Sequence, residues 1–243
     1  MKVHRPTQEA FNKHKTIEEK HKKSNPLRDV ILGGQDGLVN ALGIILGISA
    51  ASSDVHILIA TVIAASIAES LSMGAVAYTS AMSQKDYYDS ERATENYEIE
   101  TYPEMEKEEV RRIYEAKGIH GVALEDVVTA ITSDKKIWLD TMMAEELKIE
   151  PINTHAVLKS SVIVTIATAI GHVIPLLPFF FIAHQSGIIA SLIISGITLF
   201  AVGAYQAFSL VGSWWKSGIR MVIIGLGAAV AGYAIARIFH AAN

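Results

Sequence analysis

The chain of 243 residues contains no cysteine, which excludes disulfides, iron–sulfur clusters and thiolate metal sites. It also lacks an HExxH zinc motif and a G-x-S-x-G nucleophile elbow. The first 28 residues have no apolar core, so we expect no cleavable signal peptide. The net charge of −4 is small and mixed in sign, which argues against a nucleic-acid partner. We therefore expect neither an enzyme nor a nucleic-acid-binding protein.

Apolar residues make up half of the chain, and the mean hydropathy is +0.30. They are concentrated in long blocks, which is typical of a membrane protein rather than of a large soluble core. About twenty helical residues cross the ~30 Å hydrocarbon layer. We predict an all-α membrane protein with five transmembrane helices, at residues 30–51, 56–83, 156–183, 187–211 and 219–239.

Two carboxylates lie inside predicted spans, Asp36 in the first and Glu69 in the second. Because a charge at membrane depth costs roughly 2.5–3.5 kcal/mol, we assign both to a transport pathway. Met73 follows Glu69 by one turn on the same helix face, and both a metal ligand and a packing residue fit it. For His172, in the third span, we favour a hydrogen bond between helices over metal binding.

Between the second and third spans lies a charged segment, residues 84–154. It holds 18 of the 25 acidic residues but only 9 of the 21 lysines and arginines. The second span has no stop signal and should continue as one long helix to about residue 98. Pro103 then starts a new element, and we predict helices at 104–117, 124–132 and 134–148, with Gly118 and Ser133 as caps.

The acidic segment contains glutamate pairs three residues apart, which share one helix face. A stretch such as EMEKEEVRR is usually a solvated helix surface, but three separate helices carry such groups. Carboxylates with thioethers favour transition metals over Mg²⁺ and Ca²⁺. The segment is therefore predicted to bind a divalent metal through Glu95, Glu98, Glu106, Glu109, Met142, Met143 and Glu146.

The N-terminal tail is basic and contains His4, His14 and His21. A metal-handling tail is one interpretation, and a solvated basic arm is the one we favour. The distribution of Lys and Arg places the tail and the acidic segment in the cytoplasm. An odd number of spans excludes a simple inverted repeat, so we predict a parallel homodimer. The predicted divisions are 1–28 (tail), 29–83 (spans one and two), 84–154 (metal-binding domain) and 155–241 (spans three to five).

Four stretches together resemble the vacuolar iron transporter family of divalent-metal/proton antiporters. They are RDVILGGQDGL in the first span, SLSMGAVAY in the second, KIWLDTMMAEEL in the insert and IPLLPFFF in the third span. The resemblance extends from about Arg28 to the last span. Their order and spacing, together with the five-span layout, make it specific.

The resemblance implies a pore between the first spans of a parallel dimer, with Asp36 handling metal or protons there and Met73 on the same pathway. It also implies that the glutamates and methionines named above bind metal on the cytoplasmic side. One position departs from the pattern: plant members carry a glutamate where this chain has Ala65. Glu69, one turn later on the same face, is the candidate replacement.

The function predicted on this basis is transport of Fe²⁺, with Mn²⁺ as a further possible substrate, out of the cytosol in exchange for H⁺. Carboxylates that bind either a metal or a proton give antiport a physical basis. No prosthetic group is expected. The alternative is a membrane-anchored iron store or sensor without transport. The membrane would be the plasma membrane in a prokaryote and the vacuolar membrane in a eukaryote.

Overall fold

A computed structural model describes residues 7–8, 26–209 and 212–241. Within these residues the chain is helical and contains no strand. The helices are α1 (Leu27–Ala51), α2 (Val55–Thr101), α3 (Pro103–Ala116), α4 (Val122–Thr132), α5 (Lys135–Thr141), α6 (Thr154–Leu176), α7 (His184–Ser209) and α8 (Trp214–Ala241). The histidines of the tail, His4, His14 and His21, lie outside the described residues.

Five of these helices, α1, α2, α6, α7 and α8, are long and apolar enough to cross a membrane. This confirms the predicted all-helical class and the predicted number of spans. The structure divides into two compact units: residues up to Ser70 together with those from Ile166 onward, and Leu71–Thr165.

In the first unit α1 packs against α7 and α8. Two apolar clusters hold this unit together, and both use buried side chains of α1. The first cluster joins α1 to α7 and α8 through Leu38, Leu42, Leu46, Leu199, Met221 and Ala229. The second joins it to α2 and to the end of the third span through Ala41, Ile45, Leu58, Val62, Leu176 and Phe179.

Glycines bring α1 and α6 into close contact. A Cβ atom added to Gly37 would overlap the Thr168 carbonyl oxygen and lie 2.7 Å from Nδ1 of His172. A Cβ atom on Gly171 would in turn lie 2.9 Å from the backbone nitrogen of Leu38. Because only residues without a side chain fit here, α1 and α6 approach each other backbone to backbone, as small residues permit in membranes.

Helix α2 contains 47 residues, which corresponds to about 70 Å of helix. The hydrocarbon layer is only ~30 Å thick, so the helix is far longer than one crossing requires. Its first part is apolar, and its last part, from Gln84, is polar and carries Glu95 and Glu98. The predicted continuation of the second span into the acidic segment is thereby confirmed.

In the second unit, short helices enclose a separate apolar core. This core contains Ile99 from α2, residues of α3 and α4, and Trp138, Leu139, Met142 and Met143. Gly118 ends α3 with a positive φ of 88°, as its predicted cap role requires. The prediction of Ser133 as the cap of α5 is wrong. Asp134 caps it, accepting hydrogen bonds from the backbone nitrogens of Lys136 and Ile137 at 2.8 and 3.1 Å.

The predicted helix at 134–148 is not uniform. After Thr141 the chain makes a π-helical turn over Met142–Glu146, and Lys148 then adopts a positive φ of 56°. A π turn admits one extra residue and rotates the side chains that follow it, and such turns are frequent at functional sites. This turn contains three of the predicted metal ligands.

The ends of the last spans also differ from expectation. The third span becomes a 3₁₀ turn at Leu177–Phe180, which contains Pro178 and follows Pro175, because proline removes a helical donor. The fifth span begins at Trp214 rather than at residue 219. Trp214 and Trp215 thus form the first helical turn, where both are exposed.

Candidate functional site

The predicted pathway residue Asp36 is exposed on α1. It borders a cavity of about 250 Å³ between α1 and α8, lined also by Leu32, Gln35, Val39, Ile224 and Ala228. Apart from Gln35 and Asp36 itself, the lining residues are apolar. A carboxylate facing such a space needs a cation, a proton or a polar partner to offset the loss of water. The role of Asp36 on the transport pathway stays a prediction.

Glu69 lies in a polar network formed by three helices. The Asn40 side-chain amide on α1 donates a hydrogen bond to Glu69 Oε2 on α2. The same oxygen lies 3.0 Å from Nε2 of His172 on α6. His172 is completely buried, and its Nδ1 lies 2.9 Å from the carbonyl oxygen of Thr168, one turn earlier in α6. The contact between His172 and Glu69 confirms the prediction that His172 forms a hydrogen bond between helices.

The hydrogen-bond chemistry of this network requires a proton between Glu69 and His172. A carbonyl oxygen only accepts, so Nδ1 of His172 carries a hydrogen and donates to Thr168. The 3.0 Å contact at Nε2 then joins either an imidazolium to a carboxylate or a neutral imidazole to a carboxylic acid. Both arrangements place one proton at the contact.

Asp36 lies within electrostatic range of Glu69. Asp36 and Asn40 are four residues apart, so they share a face of α1. The first unit thus brings together the two carboxylates that the sequence predicted and adds Asn40. The sequence analysis missed Asn40, although its position one turn after Asp36 in an apolar span was a usable signal.

Met73 follows Glu69 on α2 and is half-buried. It belongs to the second compact unit, whereas Asp36 and Glu69 belong to the first. Among the described residues, no contact of Met73 decides between a packing residue and a ligand. Its role on the pathway stays a prediction.

Glu95 and Glu106 are the most buried of the predicted metal-binding carboxylates in the second unit, at 4% and 5% exposure. One carboxyl oxygen of each is buried without a hydrogen-bond partner. Glu98 and Glu109 are half-buried, while Glu146 is exposed. The five carboxyl groups interact electrostatically with one another. The charges of Glu98 and Glu109 act on both Glu106 and Glu146, and the charges of Glu98, Glu106 and Glu146 act on Glu95. Side chains from α2, α3 and the π turn thus lie within electrostatic range of one another.

This convergence raises the pKa values of the central carboxyl groups. Desolvation, followed by the hydrogen bond and negative charge of Glu106, raises the pKa of Glu95 to about 8. Desolvation also raises the pKa of Glu106. For Glu146, partial desolvation of the carboxyl group and the charges of Glu109 and Glu106 raise the pKa to about 7. The cluster thus retains protons at neutral pH, which a divalent cation could replace.

Other acidic residues of this unit are neutralised by cations. Glu108 pairs with Arg111 and Arg112 at 2.6 and 3.1 Å, and Asp140 pairs with Arg92 at 2.8 Å. Further pairs join Glu125 to Arg111, Glu100 to Lys135 and Glu145 to Lys117. Across the described chain, none of the five predicted metal-binding glutamates has such an ion pair. Their charge is left for protons or for a metal.

Met142 and Met143 are buried, at 0% and 2% exposure, in the apolar core of the second unit. They lie in the same π turn as Glu146. In the described residues no three His, Asp or Glu side chains form a ready-made metal cage. The predicted role of this set as metal ligands therefore stays a prediction.

Comparison with known proteins places these features in context. A model of the VIT family matches residues 27–237. The chain is 32% identical over 235 residues to vacuolar iron transporter 1 of Arabidopsis thaliana, covering 96% of this chain and 93% of that protein. It is also 31% identical to the vacuolar iron transporter of Centaurea cyanus over 93% of this chain and 92% of the relative. Vacuolar iron transporter 1 of Tulipa gesneriana is 31% identical, with 96% and 95% covered.

Proposed function

This chain belongs to the VIT family, and we propose that it is a multi-pass membrane transporter, not an enzyme, whose substrate is Fe²⁺. The observation that carries this proposal is the match of residues 27–237 to the family, together with relatives named vacuolar iron transporters that align over nearly their whole length. The match includes all five apolar helices and the acidic segment between them.

The acidic segment would collect the metal on the cytoplasmic side. Its five predicted glutamates have no counter-ion among the described residues, and two of them are buried together. Carboxylates bind hard and borderline divalent ions, and the thioethers of Met142 and Met143 would favour iron or manganese over magnesium. We include Mn²⁺ as a second candidate substrate because the donor atoms do not distinguish it sharply from Fe²⁺.

The intramembrane pathway would use Asp36, Glu69 and Met73. Asp36 is exposed on a single chain, which supports a parallel homodimer in which a second copy of α1 covers it. With the tail and the acidic segment in the cytoplasm, the metal would leave the cytosol. The names of the relatives support a vacuolar membrane; in a cell without vacuoles the plasma membrane would take its place.

Proton antiport has a chemical basis in the same groups. Protonated carboxyl groups in the acidic segment occupy the positions that a cation would compete for. Release of H⁺ on metal binding, and of metal on protonation, links the two fluxes. The exchange would therefore move H⁺ in the direction opposite to Fe²⁺.

The test is Fe²⁺ uptake into proteoliposomes containing the full chain, with and without a pH gradient, while internal pH is recorded. Fe²⁺ uptake that increases with the gradient and moves protons the other way supports the antiporter. Uptake that is independent of the gradient would retain the transporter and reject proton coupling. Protein-free liposomes and Asp36→Asn proteoliposomes are the matched controls.

A membrane-anchored iron store or sensor is the second candidate. The observation that favours it is that the acidic cluster lies in a compact unit with its own apolar core. Binding of Fe²⁺ to the full chain in detergent, combined with no flux in proteoliposomes, would select this function.

A further inference from the structure

Two helices, α1 and α6, contact the Glu69 carboxylate of α2, and both contact the same one of its two oxygens. The Asn40 amide and Nε2 of His172 both contact Oε2. Among the described residues, no hydrogen bond to Oε1 accompanies them. The side chain of Glu69 is 18% exposed. One oxygen is therefore held by the protein, and the other is free.

The imidazole of His172 is itself fixed. Its side chain is 1% exposed, and Nδ1 donates to the Thr168 carbonyl oxygen at 2.9 Å. Gly37 of α1 lies against the ring, since a Cβ atom there would be 2.7 Å from Nδ1. The ring thus has little freedom to turn, and Nε2 stays directed at Glu69.

We propose that His172, assisted by Asn40, is a positioning residue that holds Oε2 of Glu69 so that Oε1 faces the transported cation. This inference rests on the proposed function, since it gives His172 a part in metal transport. Hydrogen-bonded partners of ligating carboxylates orient them, and their loss typically costs 10–100-fold in metal affinity or activity.

The experiment compares His172→Leu with wild type and with His172→Gln in Fe²⁺ uptake by proteoliposomes. Leucine fills the buried space without a donor, whereas glutamine can place an N–H group near the position of Nε2. We expect His172→Leu to raise KM for Fe²⁺ by about 10–100-fold and His172→Gln to restore most of the affinity. His184→Leu, a half-buried histidine near Phe179 in the same unit, is the matched control and should keep the wild-type KM.

A double-substitution cycle separates positioning from general packing. If His172 acts through Glu69, then His172→Leu should have little further effect on KM in a Glu69→Gln background. If His172 merely packs α6 against its neighbours, the two effects will add, and that result overturns the inference. Unfolding temperatures in detergent identify any variant that is simply misfolded, and Asn40→Leu then serves as the second variant, with the same expected rise in KM.

The outcomes also separate this inference from the proposed function. Wild-type uptake with an unchanged KM in both His172→Leu and Asn40→Leu would reject the positioning role and leave the transporter intact. Absence of Fe²⁺ uptake by the wild-type chain would reject the proposed function, and the positioning role with it.

Discussion

The carboxyl groups of Glu95 on α2 and Glu106 on α3 interact inside the second unit, and each residue is at most 5% exposed. Two carboxylates cannot both be charged at such a place without a large cost, so the pair retains a proton at neutral pH. A pair of this kind is poorly suited to stabilise the protein by itself. Its arrangement is suited to exchange the proton for a divalent cation.

Substitution of one member should therefore have opposite effects on stability and on metal binding. We expect Glu95→Gln to raise the unfolding temperature of the metal-free full chain at pH 8, because a neutral amide removes the repulsion while keeping a hydrogen bond. The same variant should bind Fe²⁺ at least about 10-fold more weakly, since a ligand is lost. Thermal unfolding and metal titration in detergent measure the two effects. Glu104→Gln, at an exposed residue paired with Lys107, should change neither.

The raised pKa values also predict the pH dependence of stability. Glu95, with a pKa of about 8, and Glu146, with a pKa of about 7, bind protons in the folded state that the unfolded chain has already lost. Their contribution to stability is complete below pH 4.5 and is lost as the pH rises through 7 to 8. We expect the metal-free chain to unfold at a lower temperature at pH 8.5 than at pH 6. The Glu95→Gln/Glu146→Gln variant should show a smaller difference between these two pH values.

Metal binding should show the opposite dependence on pH. Because the cation displaces protons from Glu95 and Glu146, affinity for Fe²⁺ should increase between pH 6 and pH 8. Binding at pH 6.5 should release protons into a weak buffer, and calorimetry in buffers of different ionisation enthalpy would detect them. Equal affinity at both pH values would show that these glutamates are not the ligands.

Local sequence patterns predicted the fold well, because hydrophobic length and helix breakers determine the spans and the helices of the insert. Pro103 and Gly118 mark the bounds of α3 as expected. The π turn at Met142–Glu146 could not be predicted, because one extra residue in a helical turn leaves the helical composition unchanged. It depends on how the methionines pack into the core of the unit.

The candidate site was predictable where a residue is unusual for its surroundings, as Asp36 and Glu69 are within apolar spans. The site was not predictable for residues whose role depends on which helices pack against each other. The contact between Glu69 and His172 joins residues 103 positions apart, and only the close approach of α1 and α6 at Gly37 brings their neighbours together. For Asn40 the sequence offered a signal, a polar residue in an apolar span, but not its partner Glu69 on another helix.

The side chains of Met142 and Met143 can pack the apolar core, bind a metal through sulfur, or do both. Substitution by leucine separates these roles, because leucine keeps the volume and removes the sulfur. We expect Met143→Leu to change the free energy of unfolding by less than about 1.5 kcal/mol, since the volume is conserved. If the sulfur is a ligand, the same variant should lose affinity for Fe²⁺ while affinity for Mg²⁺, which does not use thioethers, is unchanged. Val128→Ala, in the same core, is the control that lowers stability without altering metal preference.

A substitution of Gly37 tests whether transport requires the close contact between α1 and α6. A methyl group there would overlap the Thr168 carbonyl oxygen and press on the His172 ring, so Gly37→Ala should destabilise the chain by roughly 1–3 kcal/mol. It should also reduce Fe²⁺ uptake, because the ring that holds Glu69 is displaced. Gly43→Ala is the matched control on the same helix. Among the described residues, no atom beyond the neighbouring turns of the helix lies within 4 Å of its added Cβ, and alanine is the better helix former. Equal unfolding temperatures and equal uptake for the two variants would contradict the backbone contact on which the Glu69 network depends.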